Sequence, residues 1–149
     1  MSVEPGIVDT NVLAYAVNAD VPQQAASRAL LAAARDSSTT LYITVQILCE
    51  FYSVITNPRR VAAPSSPAEA LRIVSALLAS PGIRILPILG RTVPALMELL
   101  RDHPVKGAEI FDLQIVAVMK ANNIRRIYTF NAADFEVFPE LTVVVPGIP

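Results

Sequence analysis

Two kinds of hydrophobic pattern alternate along the chain. Short runs of apolar, mostly β-branched residues are separated by longer segments in which apolar residues recur at helical spacing. The short runs are typical of buried strands, and the longer segments are typical of helices that pack on a sheet. The pattern predicts strands at 7–9, 41–44, 83–86, 126–129 and 142–145, and helices at about 11–17, 22–36, 45–56, 67–79, 91–102 and 108–122.

This alternation predicts a single α/β domain over residues 1–149 with a mostly parallel sheet, because repeated strand–helix units produce parallel strands. No internal repeat, low-complexity tract or linker interrupts it. The proline-rich segment 58–67 is predicted to be a loop, with Pro67 opening the next helix. In such sheets ligands bind where strands end and helices begin, so polar residues at those positions are the candidates for function.

The composition narrows the chemistry. Of the 149 residues, 53% are hydrophobic, one is Cys and one is His. A single Cys excludes a disulfide framework, and one Cys with one His leaves too few ligands for a zinc site of thiolates and imidazoles. A metal in this protein would be held by oxygen atoms, which favours Mg²⁺ or Mn²⁺. We expect Cys49 to be a buried core thiol and His103 to cap a helix end.

Charge and hydropathy limit the location and the partners. The N-terminus lacks the pattern of a signal peptide, and the apolar stretches break before the ~18 residues that a membrane span needs. We therefore expect a cytoplasmic protein that does not bind membranes. The net charge of -1 argues against binding nucleic acid through a broad positive field, but leaves RNA open as a substrate. The mean hydropathy of +0.48 indicates a large core or a surface that another chain covers.

Ten of the twelve basic residues are arginines, and four of them form two adjacent pairs. Arg59–Arg60 and Arg125–Arg126 could each hold a phosphate group, because a guanidinium can donate two parallel hydrogen bonds to it. For either pair alone, ordinary solvated surface charge is the simpler interpretation.

Asp9 and Glu50 are the first candidate acids. Asp9 ends the first predicted strand and so lies at the ligand edge, although an Asp followed by Thr10 and Asn11 could equally cap the next helix. Glu50 belongs to a polar stripe on the third predicted helix, four residues after Gln46. Such a stripe is either a solvated face or a face aimed at a polar cleft, and the periodicity does not separate the two.

Asp112 is the most informative acid. It lies in the segment 110–119, which is apolar on nearly every side and has no basic residue three or four positions from Asp112. Ionised carboxylates are rarely left among apolar neighbours unless they are paired or bind a metal, which favours a functional role. Asn131 and Asp134 follow the fourth predicted strand and also reach the ligand edge, where an Asx turn and a helix cap would use the same residues.

Asp9, Glu50, Asp112 and Asp134 come from separate strand–helix units, and at least two of them should meet at one edge of the sheet. Two carboxylates about 4 Å apart repel by about 4 kcal/mol at an effective dielectric constant of about 20. A cluster of three or four acids would therefore stay ionised only with a cation bound, and Mg²⁺ or Mn²⁺ suits oxygen ligands.

Together these motifs resemble the PIN-domain family, and specifically its VapC-like toxins. The resemblance is carried by residues 7–13, by Glu50 on the helix after the second strand, by Asp112 within 107–119, and by residues 129–135. It covers essentially the whole chain. Each motif is short, and it is their order and spacing that make the match specific.

The resemblance implies a three-layer α/β/α fold with a five-stranded, mostly parallel sheet. It also implies a Mg²⁺- or Mn²⁺-dependent endoribonuclease, the toxin of a type II toxin–antitoxin pair. Asp9 and Asp112 match the principal metal ligands, and Glu50 matches the third acid. The hydroxyl groups of Thr10 and Thr129 would then support these ligands or contact phosphate.

The family often has a fourth acid where this chain has Asn131. Asn131 is therefore expected to bind weakly or through water, with Asp134 supplying the charge, and a second metal site is in question. A metal on Asp9 and Asp112 would activate a water for in-line attack on RNA, while Glu50 or Asp134 holds the water or accepts its proton. The resemblance further implies a homodimer and a VapB-like antitoxin that inserts a segment near the acidic pocket.

Three alternatives remain open at this point. A PIN-fold RNA-processing nuclease outside a toxin–antitoxin pair would use the same residues. A non-catalytic PIN-like binding module would use the acids as helix caps and would dock a partner on an apolar face. A phosphatase of the haloacid dehalogenase type also begins with a strand that ends in Asp, but it needs a second Asp two positions later, where this chain has Asn11.

Overall fold

A computed structural model describes residues 3–149 and shows one parallel sheet of five short strands. The strands are β1 (Gly6–Val8), β2 (Leu41–Ile43), β3 (Ile83–Ile85), β4 (Arg126–Tyr128) and β5 (Thr142–Val144). Their order in the sheet is β3-β2-β1-β4-β5, and every neighbouring pair is parallel. The predicted α/β class is confirmed, and the described sheet is parallel throughout.

Seven α-helices connect the strands in the described part of the chain. They are α1 (Thr10–Ala16), α2 (Gln24–Ala33), α3 (Val45–Thr56), α4 (Pro67–Leu78), α5 (Thr92–Asp102), α6 (Ile110–Ala121) and α7 (Ala132–Phe135). The predicted helix at 108–122 begins as a 3₁₀ turn, Gly107–Glu109, before α6. None of the helices described over 3–149 is both long enough and apolar enough to span a bilayer.

The strand order creates a switch point between β1 and β4. The chain moves from β1 through β2 to β3 in one direction, and then returns to add β4 and β5 on the other side of β1. Right-handed crossovers then place α1 to α4 on one face of the sheet and α5 and α6 on the other. Contacts of α1 with α2 and α3, and of α5 with α6, agree with this arrangement. Crevices at such switch points are where ligands bind in open parallel sheets.

β1 is central because its residues are small or fully apolar. Ile7 and Val8 have no exposed surface, as expected for a strand that is covered on both faces of a parallel sheet. Gly6 allows β4 to come close: a Cβ atom at this position would lie 2.9 Å from the Arg126 carbonyl oxygen and 2.9 Å from the Tyr128 ring. This close approach brings the ends of β1 and β4 together.

Local side-chain hydrogen bonds fix the starts of α3 and α4. The Thr44 hydroxyl accepts the Ile47 backbone N–H at 3.1 Å, and the Ser66 hydroxyl accepts the Glu69 backbone N–H at 3.2 Å. Such caps satisfy backbone donors that a helix start leaves unpaired. Pro67 is the first residue of α4, so the predicted loop and its boundary are confirmed.

One burial expectation is wrong. Cys49 is exposed, because it lies on the outer side of α3 while Ile47 and Phe51 face the core. Phe111, in the first turn of α6, is 48% exposed, whereas Ile115–Met119 in the same helix are buried. His103 does end α5, where its backbone N–H donates to the Leu99 carbonyl at 2.7 Å.

Candidate active site

Asp9 lies directly after β1, at the switch point of the sheet, and is only 6% exposed. Its Oδ1 accepts the Thr10 backbone N–H at 2.8 Å. Its Oδ2 accepts the Thr129 hydroxyl at 2.8 Å and the Asn11 side-chain amide at 3.2 Å. A carboxylate has about four lone-pair positions, so three are filled and one on Oδ1 is open. Asp9 therefore occupies the N-cap position of α1 and also keeps an acceptor site for a ligand.

Asn11 and Thr129 join the ends of β1 and β4. The Asn11 amide donates to the Thr129 hydroxyl at 3.3 Å, and its carbonyl oxygen accepts the Phe130 backbone N–H at 3.1 Å. The Thr129 hydroxyl also accepts the Asn131 backbone N–H at 3.0 Å. Asn11 thus supports Asp9 instead of supplying an acid of its own. The phosphatase alternative lacks its second Asp, as the sequence indicated.

Glu50 is held by two donors on neighbouring helices. The Thr10 hydroxyl at the start of α1 donates to Oε2 at 2.9 Å, and the Gln46 amide one turn earlier in α3 donates to Oε1 at 3.2 Å. The polar stripe on α3 therefore faces a cleft over part of its length. This resolves the ambiguity that the periodicity left, because a solvated face would not hold its carboxylate from two sides.

Asp112 lies in the first turn of α6 and is half-buried. The pKa of Asp112 is raised to about 6, mainly by burial and also by the negative charges of Asp9, Asp134, Glu50 and Glu109. Burial also raises the pKa of Asp9, and the hydrogen bonds from Thr129 and Thr10 oppose this. Acids with raised pKa values that repel one another favour the arrival of a cation.

Of the two candidate residues after β4, Asn131 lines the cleft and Asp134 affects it only through its charge. Asn131 lines the cleft, but its side chain forms no capping hydrogen bond with α7. Asp134 is exposed on α7 and lies outside the cleft lining, although its charge raises the pKa of both Asp9 and Asp112. Asp134 lies inside the first turn of α7, where Asn131 is the N-cap residue, so the alternative in which Asp134 caps this turn does not hold.

These elements enclose an open cleft of about 540 Å³ at the carboxyl ends of the strands. Asp9, Glu50 and Asp112 line it together, from the end of β1, from α3 and from α6 respectively. Tyr15 and Arg60 also line it. The acids were predictable from the sequence, but the support of Glu50 by Gln46 and the difference between Arg60 and Arg59 were not. The four-residue spacing of Gln46 and Glu50 was the available signal for the first of these.

The donor set fits a small divalent cation. Within residues 3–149 no three acidic, imidazole or thiol groups form a complete metal-binding set. Mg²⁺ does not need one, because it is often held by one or two carboxylates with water in its other positions. Asp9 offers one open acceptor position, and Asp112 is an acid that forms no ion pair in the described chain. These two carboxylates are oxygen ligands of the kind that Mg²⁺ and Mn²⁺ prefer.

Comparison with known families identifies the class of protein that this fold and cleft define. The profile of the PIN domain matches residues 6–141. A VapC ribonuclease of Mycobacterium bovis is 35% identical over 116 residues, which are 78% of this chain and 79% of that protein. Ribonuclease VapC43 of Mycobacterium tuberculosis matches with the same values. The chain belongs to the PIN-domain family and has VapC ribonucleases among its relatives, so the predicted nuclease class is confirmed.

Solved structures agree on the fold. VapC20 of Mycobacterium tuberculosis, described as a toxin that cleaves the sarcin–ricin loop, superposes with a TM-score of 0.69 at 19% identity over 94% of this chain and 98% of that one. VapBC2 of Rickettsia felis, solved bound to a DNA fragment of its promoter, gives 0.64 at 19% identity over 94% and 97%. The predicted PIN-like α/β architecture is confirmed over nearly the whole chain.

Proposed function

We propose that this PIN-domain protein is an endoribonuclease that requires Mg²⁺ or Mn²⁺, with its active site in the cleft of Asp9, Glu50 and Asp112. The observation that supports it best is the meeting of three carboxyl groups, from the end of β1, from α3 and from α6, in one cleft. A docking module has no need of acids whose pKa values are raised by burial and mutual repulsion.

Asp9 and Asp112 would hold the cation, because they are the buried and half-buried acids whose pKa values burial and mutual repulsion raise. When bound, the cation would acidify a water and offset the negative charge of the phosphodiester. Glu50 would accept a proton from the attacking water, and the Thr10 and Gln46 donors hold its carboxylate in place for that role. Asn131 would contact the substrate or a water through its amide.

The deciding experiment is cleavage of defined tRNA and rRNA fragments by the purified protein with and without Mn²⁺. Cleavage should require the metal and should be lost in Asp9→Asn, which keeps the size of the side chain. Mn²⁺ binding, measured by calorimetry, should weaken strongly in the same variant. Metal-independent cleavage, or full activity of Asp9→Asn, would contradict the proposal. A protein that neither binds Mn²⁺ nor cleaves RNA would instead be a docking module.

We further propose that the protein is the toxin of a type II toxin–antitoxin pair with a VapB-like antitoxin. Toxin–antitoxin complexes of Rickettsia felis and Klebsiella pneumoniae share its fold. An apolar groove of about 570 Å³ that Leu31, Ile73 and Leu77 line, with Arg28 and Arg35, is the surface we assign to the antitoxin. Co-purification with the product of an adjacent small gene, and relief of growth arrest by it, would test this. Without such a gene, an RNA-processing nuclease outside a toxin–antitoxin pair is the better assignment.

A homodimer is the remaining proposal. An exposed apolar patch on α3 and α4 consists of Leu48, Cys49, Tyr52, Leu71 and Val74. Leu71 is 64% exposed, so Leu71→Glu should disrupt a dimer that uses this patch. Val137→Glu is the control, because Val137 is 57% exposed on another part of the surface. Light scattering should show a dimer for the wild type and the control, and a monomer for Leu71→Glu. A monomeric wild type would contradict the proposal.

A further inference from the structure

Arg60 lines the acidic cleft from the loop that follows α3. It shares this cleft with three carboxyl groups, yet no carboxylate oxygen lies within 4.0 Å of its guanidinium, because the ion pair found in residues 3–149 joins Lys120 and Glu140. Arg60 is also exposed to solvent. Its positive charge is therefore available to a negatively charged group that enters the cleft.

The loop that carries Arg60 is fixed by its own hydrogen bonds. The Arg60 and Val61 backbone N–H groups donate to the Asn57 carbonyl at 2.9 and 3.1 Å. The Ser65 backbone N–H donates to the Ile55 carbonyl at 2.8 Å, which ties the far end of the loop to α3. A loop that is ordered before binding loses less conformational entropy when a ligand arrives. Arg60 is thus presented at the cleft by a defined turn.

We propose that Arg60 binds the RNA phosphate next to the phosphodiester that is cleaved. This inference rests on the proposed nuclease function. The cleaved phosphodiester must lie at the carboxylates that hold the cation, and the Arg60 guanidinium is in the same cleft but not in contact with them. A planar guanidinium donates two parallel hydrogen bonds to a phosphate, which orients the strand as well as attracting it.

Arg59 provides a matched control in the same loop. It is exposed and carries the same charge, but it does not line the cleft. Its backbone N–H donates to the Asn57 side chain at 2.9 Å, and that bond does not depend on the identity of its side chain. A general loss of positive charge from the loop would therefore affect Arg59→Ala and Arg60→Ala equally, whereas a specific phosphate contact would affect only Arg60→Ala.

Binding should be measured separately from catalysis. In the Asp112→Asn background, fluorescence anisotropy with a labelled single-stranded RNA of about 12 nucleotides gives Kd as a function of salt. For single strands, the slope of log K against log salt changes by about 0.7 for each phosphate contact. We expect Arg60→Ala to reduce the magnitude of this slope by about 0.7 and Arg59→Ala to leave it unchanged. Arg60→Lys should keep the slope but bind more weakly, because an ammonium group cannot bind a phosphate bidentately.

Cleavage kinetics of variants that keep Asp112 test whether Arg60 contributes to substrate binding or to the chemical step. Arg60→Ala should raise KM by about tenfold or more, as for a lost hydrogen bond to a charged group, and change kcat by less than about twofold. Equal salt slopes and KM values for the two alanine variants would overturn the proposal, as would a large fall in kcat at constant KM. A wild type that does not cleave RNA would contradict the nuclease function. The binding assay would still test the phosphate contact, because that assay uses a variant that does not cleave.

Discussion

The Thr129 hydroxyl lies 2.8 Å from Asp9 Oδ2, although 120 positions separate the two residues. Both residues are buried, and each follows one of the two strands that meet at the switch point of the sheet. The hydrogen bond opposes the effect of burial on the pKa of Asp9 and so favours its ionised form. Thr129 is therefore the support of the acid that we assign to the metal.

We predict that Thr129→Val weakens Mn²⁺ binding about 10- to 100-fold, as removal of a hydrogen-bond partner of a metal ligand usually does. The pKa of Asp9 should rise, so the acid limb of the pH–activity profile should move to higher pH. Stability should fall by about 1–3 kcal/mol, because Asp9 and the Asn131 backbone N–H each lose a buried partner. Thr129→Ser keeps the hydroxyl and should retain the Mn²⁺ affinity and the pH–activity profile of the wild type. A Thr129→Val variant with wild-type Mn²⁺ affinity would contradict this role.

Asp112→Asn should stabilise the metal-free protein at neutral pH while abolishing cleavage. The pKa of Asp112 in the folded chain is about 6, above its ordinary value of 3.8, so the folded state favours the protonated carboxyl. The stability that this provides is present below about pH 4 and is lost as the pH rises through about 6. With solvent screening allowed for, we expect a gain of about 1 kcal/mol at pH 7 in the variant.

Thermal unfolding in EDTA measures this effect. A gain of about 1 kcal/mol corresponds to a rise in Tm of about 3 °C for a chain of this size. The difference between Asp112→Asn and wild type should disappear at pH 4, and added Mg²⁺ should stabilise only the wild type. A variant that is less stable than wild type at pH 7 would show that Asp112 has a favourable structural partner instead.

Glu50→Gln should lower kcat by about 10²- to 10⁴-fold, because it removes the assigned proton acceptor. Mn²⁺ affinity should change little, because Asp9 and Asp112 would still hold the cation. Gln46→Ala removes one of the two donors to Glu50 and should have a smaller effect in the same direction. Single-turnover cleavage measures the effect on the chemical step, and Mn²⁺ titration measures the effect on metal binding. A Glu50→Gln variant that loses Mn²⁺ binding would make Glu50 a ligand.

Asn131→Asp and Asp134→Asn should shift the pH dependence in opposite directions. Asp134 raises the pKa of Asp9 and Asp112, so Asp134→Asn should lower both values and move the acid limb of the profile to lower pH. The shift should be small because Asp134 is exposed. Asn131→Asp adds a negative charge to the cleft lining and should move the limb to higher pH. Mn²⁺ titration of Asn131→Asp should also show whether a second ion binds.

The positions of the strands and most helix boundaries could be predicted because hydrophobic periodicity depends on burial. Five predicted strands are present at almost the predicted positions, and Pro67 opens α4 because a proline fits the first helical position. Cys49 was misplaced because residue type gives only an average burial. Ile47 and Phe51 pack into the core and leave Cys49 on the outer side of α3. The sequence alone does not show that these two residues are buried in preference to Cys49.

The acids of the cleft were predictable as candidates, but their supports were not. Asp112 was recognisable because a charged side chain in an apolar helix is energetically costly unless it is paired or binds a ligand. Asn11 looked like a capping residue, and its role as the link between Asp9, Thr129 and Phe130 depends on a pairing of β1 with β4 that local patterns do not encode. Arg60 and Arg59 are adjacent in the chain, and the turn at Asn57 decides which one reaches the cleft.

The pairing of β1 with β4 also affects how the enzyme is made. On the ribosome, Asp9 is synthesised long before Thr129, and β1 has no neighbour on that side until β4 emerges. A nascent or prematurely terminated chain that lacks β4 therefore has an unsupported Asp9 and an incomplete cleft. Because the cleft needs β4, we expect a nascent chain to complete its active site only late in its own translation.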